Sequence, residues 1–292
     1  MEEIKRLQIE ILKIFNEFKK ICFKHNLKYY AIGGTCLGAV RHKGFIPWDD
    51  DIDIVMPIKD YFKFIQISEK MLPTNLKIVK DTDRKDVLKN GFIKLTNINT
   101  TYIEKKFYEN RTFENFTGAF IDIMPMIGSP KNILRKGQIA KFYILKKLDT
   151  IRNIKINRYN NTLKSRILHI ILKPILLVFR KEYFYDLWIK NLCKYDIEKR
   201  NDILFPFRIP LRKPYSNIFP YDFFGDGVEL PFENIKINCP TKYKEYLGKD
   251  FGDYTKLPPE GDRIPKHTAI IDLNKSYFQY IDEMKKEEKN EK

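Results

Sequence analysis

Residues 29–57 read YYAIGGTCLGAVRHKGFIPWDDDIDIVMP. Tyr29 to Ile32 is apolar and β-prone, so a short strand is expected there, stopped by Gly33-Gly34. Thr35 is placed to cap a short helix reaching about His42. Gly44 to Asp50 carries Pro47 among polar neighbours and reads as a turn. Asp51 to Met56 alternates as a second strand, closed by Pro57. In a strand, residues two apart share a face, so Asp51 and Asp53 point one way and Ile52 and Ile54 the other. Two carboxylates on one face suit a hard divalent cation, which takes oxygen ligands. Four clustered aspartates can also be a solvated turn. Against that, unpaired carboxylates in an apolar strand cost several kcal/mol, on the order of 2–7. The glycines before the strand also allow a phosphate to approach the backbone at a helix N-terminus. Asp49 and Asp50 read as supporting or turn-capping residues.

Outward from this stretch, Ile4, Leu7, Ile11, Ile14, Phe18 and Ile21 recur at helical spacing, and Asn26 is a C-cap candidate. Asp60 to Met71 reads as a helix. Strands are expected near Leu76–Lys80, Gly91–Thr96 and Ala119–Met124. The last contains Phe120-Ile121-Asp122-Ile123-Met124, where Asp122 faces opposite to its isoleucine neighbours. It is the expected third carboxylate, as a metal ligand or as base on an acceptor hydroxyl. Short strands are expected at Tyr221–Phe224, Glu229–Phe232 and Asn234–Asn238. A helix over Thr241–Leu247 closes at Gly248, and the tail KKEEKNEK should fray.

The net charge of +16 is not evenly spread. Residues 131–214 hold 21 Lys and Arg against 6 Asp and Glu, and 8 of the 13 arginines. A localised basic segment implies an anionic partner surface. The segment reads as helical to about residue 200. Within it, Leu163 to Arg180 is LKSRILHIILKPILLVFR, with Arg166, His169, Lys173 and Arg180 on one helical face. Its apolar stretch is too short and interrupted to span a bilayer of about 30 Å. It reads either as a core helix or as one lying on an anionic membrane. No apolar run is long enough for a membrane span, and the N-terminus lacks the pattern of a secretory signal. Cys22, Cys36, Cys193 and Cys239 lack metal-binding spacing and read as reduced structural thiols.

An acidic strand that follows a strand–Gly-Gly–helix element is the arrangement of the nucleotidyltransferase fold. Residues 29–57 resemble the signature of the LicD family almost throughout. FIDIMP (120–125) is similar to its next carboxylate block and KLTNINTTYIE (94–104) to the segment between. YLGKDFGDYTKLPP (246–259), with Arg263 and His267 after it, resembles the closing motif. The family usually has an aspartate where this chain has Asn97, so Asn97 is given no catalytic role. His267 is given no chemistry.

The resemblance implies an α/β (α+β) nucleotidyltransferase-type mixed sheet flanked by helices. It implies a core over residues 1–130, a basic helical insertion over 131–214, and a C-terminal motif over 215–292 completing the core. It also implies transfer of phosphocholine, or another phosphoalcohol, from CDP-choline or another CDP-alcohol to a glycan or lipid-linked glycan such as teichoic acid or lipopolysaccharide. Relatives of the fukutin type move ribitol phosphate. By motif, Asp51, Asp53 and Asp122 would be catalytic and hold Mg2+ or Mn2+. Gly33, Gly34 and Thr35 would hold phosphates, Arg41 and Lys94 would neutralise them, and Arg263 would contact substrate. The implied location is the cytoplasm, with peripheral contact at the inner face of an anionic membrane. The competing reading is a template-free nucleotidyltransferase acting on RNA or a small molecule. No RNA-reading signature supports it, and no nucleic acid partner is expected. A binding protein with a decayed site is the third reading, and the three intact carboxylates argue against it.

Overall fold

A computed structural model of the chain describes residues 2–79, 91–153, 163–180, 182–199, 202–208, 217–265 and 269–290. In chain order the elements are α1 (Glu2–Lys24), β1 (Tyr30–Ala31), α2 (Gly33–Arg41), β2 (Asp53–Pro57), α3 (Ile58–Met71), β3 (Leu76–Val79), β4 (Ile93–Asn97), β5 (Thr101–Glu104), α4 (Lys105–Glu109) and β6 (Phe120–Ser129). Then come α5 (Asn132–Asn153), α6 (Leu163–Leu176), α7 (Tyr183–Leu192), β7 (Asp202–Leu204), β8 (Ile218–Pro220), β9 (Val228–Phe232), β10 (Ile235–Cys239), α8 (Tyr243–Phe251), β11 (Ala269–Asp272) and α9 (Tyr277–Asn290). The class is mixed α/β. Two compact units are present. One comprises 1–79, 93–125 and 222–292, the other 80–92 and 126–221.

The first unit is built on a sheet in the order β1-β2-β6-β4-β3. β1 pairs antiparallel with β2, with Ala31 opposite Ile54. β6 pairs antiparallel with β4, setting Lys94 directly opposite Asp122. Ile54, Val55, Leu95, Ile121 and Ile123 are fully buried or nearly so. α1 buries Leu7, Ile11, Ile14, Phe15, Phe18 and Ile21 along one stripe, as its 3.6-residue periodicity requires. Each such side chain contributes about 1.5–3 kcal/mol relative to exposure. Phe18 sits edge-on to both Tyr29 and Phe64, at centroid distances of 5.2 and 5.0 Å. Asn26 has φ +51° just beyond α1, the left-handed C-terminal turn expected of it. A second cluster joins Ile103 and Phe116 to Tyr277 and Met284 of α9.

The second unit holds α5, α6, α7 and the short ladder in which the end of β6 pairs with β7, and β7 with β8. The helical reading of residues 131–200 holds for these three helices.

Several boundaries differ from the sequence reading. Thr35 does not cap α2: the helix begins at Gly33, Ile32 takes the cap position, and no side chain caps it. Gly33 turns the chain at φ +55°, which shortens β1 to two residues. β2 therefore starts at Asp53, because β1 offers no partner further back, and Asp51 lies just ahead of the strand. Tyr221–Phe223 is a single 3-10 turn rather than a strand. That turn lets the Phe224 carbonyl accept from the N–H groups of Gly227 and Thr241. α8 runs through Gly248 and stops at Gly252, where φ is +72°. The tail expected to fray is helical through Asn290, because Tyr277 and Met284 are buried.

Asn97 is 7% exposed, and its amide donates to Glu10 Oε1 at 2.6 Å. An aspartate there would set two carboxylates against each other. Asn97→Asp is expected to lower unfolding free energy by about 1–3 kcal/mol at neutral pH. Stability should partly return as pH falls into the carboxylate range, because protonating either group removes the repulsion. Urea unfolding at several pH values measures both effects, and a wild-type midpoint at every pH would contradict them.

Candidate active site

The carboxylate oxygens of Asp51, Asp53 and Asp122 lie within 4.8 Å of one another. They come from the approach to β2, from the start of β2 and from β6. The strands meet where Asp122 N–H donates to the Ile52 carbonyl at 2.9 Å. Thus Asp51 and Asp53 converge with Asp122 although Asp51 is outside the strand. A second trio, Asp49, Asp50 and Asp51, also lies within 4.8 Å, so Asp51 belongs to both.

Carboxylates this close repel, and named donors hold them. Lys94 Nζ is 2.7 Å from Asp122 Oδ1, with both side chains mostly buried. The same ammonium lies 3.3 Å from the centroid of the Phe120 ring. The Tyr102 hydroxyl donates to Asp50 Oδ2 at 2.6 Å. Burial, and then the Asp50 charge, push the Tyr102 phenol well above its ordinary value, so it stays a donor at any physiological pH. Gln8 Nε2 donates to the carbonyls of Asp49 and Ile46, at 2.9 and 3.3 Å. This ties α1 to the turn that precedes the aspartates.

The residues matched to phosphate binding have visible structural duties. Thr35 Oγ1 accepts from the N–H of Asp53 at 2.8 Å, so the hydroxyl aligns the first residue of β2. A Cβ on Gly34 would come 2.6 Å from Asp49 Oδ2, so the missing side chain makes room for a buried carboxylate. Gly33 N–H donates to the Tyr246 hydroxyl at 3.0 Å, and that hydroxyl donates to Asp250 Oδ2 at 3.1 Å. Arg41 Nη1 donates to the carbonyls of Tyr254 and Lys256, both at 3.2 Å. Partial burial lowers its pKa from the ordinary arginine value. Arg263 Nε donates to the Pro258 carbonyl at 2.9 Å, closing the same C-terminal loop on itself. Among the sequence candidates, Asp51, Asp53, Asp122 and Lys94 are brought together directly. Arg41 and Gly33 are tied to the C-terminal segment instead. His267 lies outside the described residues.

Tyr102, Gln8, Tyr246 and Glu233 were not singled out from sequence. Glu233 Oε1 accepts from the Phe45 N–H at 2.9 Å, clasping the turn ahead of the aspartates. Tyr102 and Tyr246 did fall within matched motifs, which was the available signal. Gln8 and Glu233 carried none. The cysteines are free thiols. Burial raises Cys22 well above its ordinary value, and a hydrogen bond with Cys239 does the same for Cys36, so neither is a nucleophile.

Three converging carboxylates fit a hard divalent cation, and neither sulfur nor imidazole is in the set. Residues 26–148 match the family described as LicD/FKTN/FKRP, nucleotidyltransferase domain. Over these residues the chain is similar to the LicD family. Asp49, Asp50, Asp51, Asp53 and Asp122, with Lys94 and Tyr102, lie inside that stretch. The chain is 25% identical over 277 residues to the lipopolysaccharide cholinephosphotransferase LicD of Haemophilus influenzae, covering 90% of this chain and 96% of that one. It is 41% identical over 59 residues to an uncharacterized protein of Rickettsia typhi, covering 20% and 19% of the two chains. An uncharacterized protein of Rickettsia prowazekii is 36% identical over 72 residues, covering 23% and 27%. The likeness to the Haemophilus protein runs beyond that stretch, into the C-terminal segment that holds Gly33 and Arg41.

Two glycines separate a crowded position from an open one. Gly34→Ala must displace the Asp49 carboxylate and is expected to destabilise by about 1–3 kcal/mol. Gly248 lies inside α8 with nothing within 4 Å of a built Cβ. Gly248→Ala should stabilise by about 0.5–1 kcal/mol. Thermal melts of the two variants should move in opposite directions; a shift of the same sign in both would contradict this.

Proposed function

We propose that this chain transfers a phosphoalcohol group, phosphocholine foremost, from a CDP-alcohol to a hydroxyl of a cell-surface glycan. The observation that carries the reading is the convergence of Asp51, Asp53 and Asp122 inside the stretch similar to the LicD family. The named activity of the Haemophilus relative, matched over nearly its whole length, supports the choice of phosphocholine and glycan. We assign the reaction to the cytoplasm, at the inner face of the membrane.

In this mechanism the acceptor oxygen attacks the phosphorus that bears the alcohol. The bond from that phosphorus to the bridging oxygen breaks, CMP leaves with that oxygen and its electron pair, and the acceptor hydroxyl proton passes to solvent. Asp51, Asp53 and Asp122 would hold Mg2+ or Mn2+, which when bound neutralises charge on the phosphate oxygens. Lys94 holds Asp122 in place and keeps a cation at the edge of the triad. It is assigned to the donor phosphates once they enter. The Gly33–Thr35 backbone is the assigned diphosphate position, with Tyr246 fixing Gly33 from beneath. Arg41 and Arg263 are assigned to shaping the C-terminal loop over the substrate, through the carbonyls they already bind.

Asp51→Asn, Asp53→Asn and Asp122→Asn are each expected to reduce turnover at least about a thousandfold, the scale of losing preorganised charge stabilisation. Asp51→Asn and Asp53→Asn should also raise the melting temperature in metal-free buffer, because mutual repulsion falls, whereas Asp122→Asn leaves the buried Lys94 ammonium without its carboxylate and should lower it. Near-normal turnover in any one variant removes that residue from the site.

Incubation with CDP-choline, CDP-ethanolamine, CDP-ribitol or CDP-glycerol, followed by nucleotide analysis, tests the reaction class. CMP release that is lost in EDTA and restored by Mg2+ or Mn2+ is expected. Pyrophosphate release from nucleoside triphosphates, without CMP release from any CDP-alcohol, would assign the chain to nucleotidyl transfer instead.

A further inference from the structure

α6 carries its apolar face outward. Ile167, Ile170, Ile171 and Ile175 fall on one helical stripe and are 49%, 65%, 58% and 58% exposed. Leu176, on the opposite side, is buried, and Leu172 beside it is half-buried. Helices that pack a core show the reverse. The stripe continues past the helix end through Leu177 and Val178, with Val178 85% exposed. Pro174 lies inside α6, and the helix stops two residues later, so the apolar surface ends in a blunt turn. Arg152 of α5 fastens that turn, with Nε and Nη2 each 3.2 Å from the Phe179 carbonyl.

The segment that carries α6 is cationic. Lys141, Lys146 and Lys147 of α5 are exposed within this same unit. The segment 131–214 carries 21 basic against 6 acidic residues. Among the described acidic groups of the segment, Asp149 is buried, Asp186 pairs with Arg180 and Asp202 pairs with Arg135. Glu182 and Glu198 are exposed, so the segment's excess of basic over acidic groups is only partly offset at its surface. No described helix is long and apolar enough to cross a membrane.

We propose that the outward stripe of α6 and the turn after it form a docking surface for an anionic lipid bilayer. Ile170, Ile171, Ile175 and Val178 enter the headgroup boundary, and the unit's lysines and arginines face the lipid phosphates. A water-exposed stripe of isoleucines costs apolar hydration that insertion removes, while the basic surround selects a negatively charged surface. A protein partner with an apolar groove would satisfy the stripe but would not use a charge excess this large. The inference rests on this unit's own surface and does not depend on the chemistry assigned to the carboxylates.

The test uses the full chain in a vesicle co-sedimentation assay, with phosphatidylcholine alone or mixed with phosphatidylglycerol. The protein is expected to pellet with the anionic vesicles at low salt and to be released about tenfold as salt shortens the screening length to about 3 Å. The triple variant Ile170→Ser, Ile171→Ser, Ile175→Ser should lose at least about tenfold in bound fraction while keeping the wild-type circular dichroism and CDP-alcohol turnover on a water-soluble acceptor. Lys146→Glu with Lys147→Glu should weaken binding to anionic vesicles without altering the fold. Equal binding to neutral vesicles, no binding to either, or full binding by the triple variant would each overturn the proposal. A concentration-dependent dimer in sedimentation velocity that the triple variant abolishes, without vesicle binding, would assign the stripe to a second copy of the chain and overturn it as well.

Discussion

The repulsion among a group of aspartates held within a few ångströms of one another is the constraint that organises the first unit. Asp49, Asp50, Asp51, Asp53 and Asp122 would separate in an unstructured chain. The fold holds them with donors drawn from distant parts of the sequence. Lys94 stands opposite Asp122 in the β4–β6 ladder, Tyr102 serves Asp50 from β5, and Gln8 secures the Asp49 backbone from α1. Removing one partner of a pair buried like Lys94–Asp122 costs about 3–5 kcal/mol. Folding therefore preorganises charge that a divalent cation and a phosphate substrate can use, and the sheet and α1 supply the stability that offsets it.

The C-terminal segment is part of the same arrangement. Its contribution is backbone support more than new ionisable groups. Tyr246 satisfies the Gly33 N–H, Arg41 reaches back to the Tyr254 and Lys256 carbonyls, and Glu233 fastens the turn at Phe45. Gly33 adopts a positive φ at that turn without steric cost, and its N–H finds its partner in the distant Tyr246 hydroxyl. This explains why motifs at the two ends of the chain occur together. Each supplies hydrogen-bond partners that the other requires.

The second unit follows a different logic. Its core is made by α5 and α7, where Phe142 and Trp188 pack at a centroid distance of 6.1 Å. α6 adds Leu176 to the buried set and leaves its isoleucines outside. A basic segment with an inverted helix is costly in water unless an apolar, negatively charged surface completes it.

By itself, the sequence determined which acidic residues stand close together and their order along the chain. The Gly-Gly pair, the D-h-D run and Asp122 were legible because carboxylates beside apolar strands are exceptional, although Asp51 lies just ahead of β2 and not in it. The long helices were legible from their 3.6-residue periodicity. Tertiary structure decided what local patterns cannot encode. Thr35 looked like a cap and instead braces Asp53, because the helix starts at Gly33 and its cap position lies three residues earlier, at Ile32. Tyr221–Phe223 looked like a strand and is a helical turn, because the Phe224 carbonyl collects two N–H donors there. Gln8 and Glu233 gave no signal, since their partners lie 41 and 188 residues away. The outward face of α6 was equally hidden: periodicity shows that a helix has an apolar stripe, and only packing against its neighbours decides whether that stripe meets the core or the solvent.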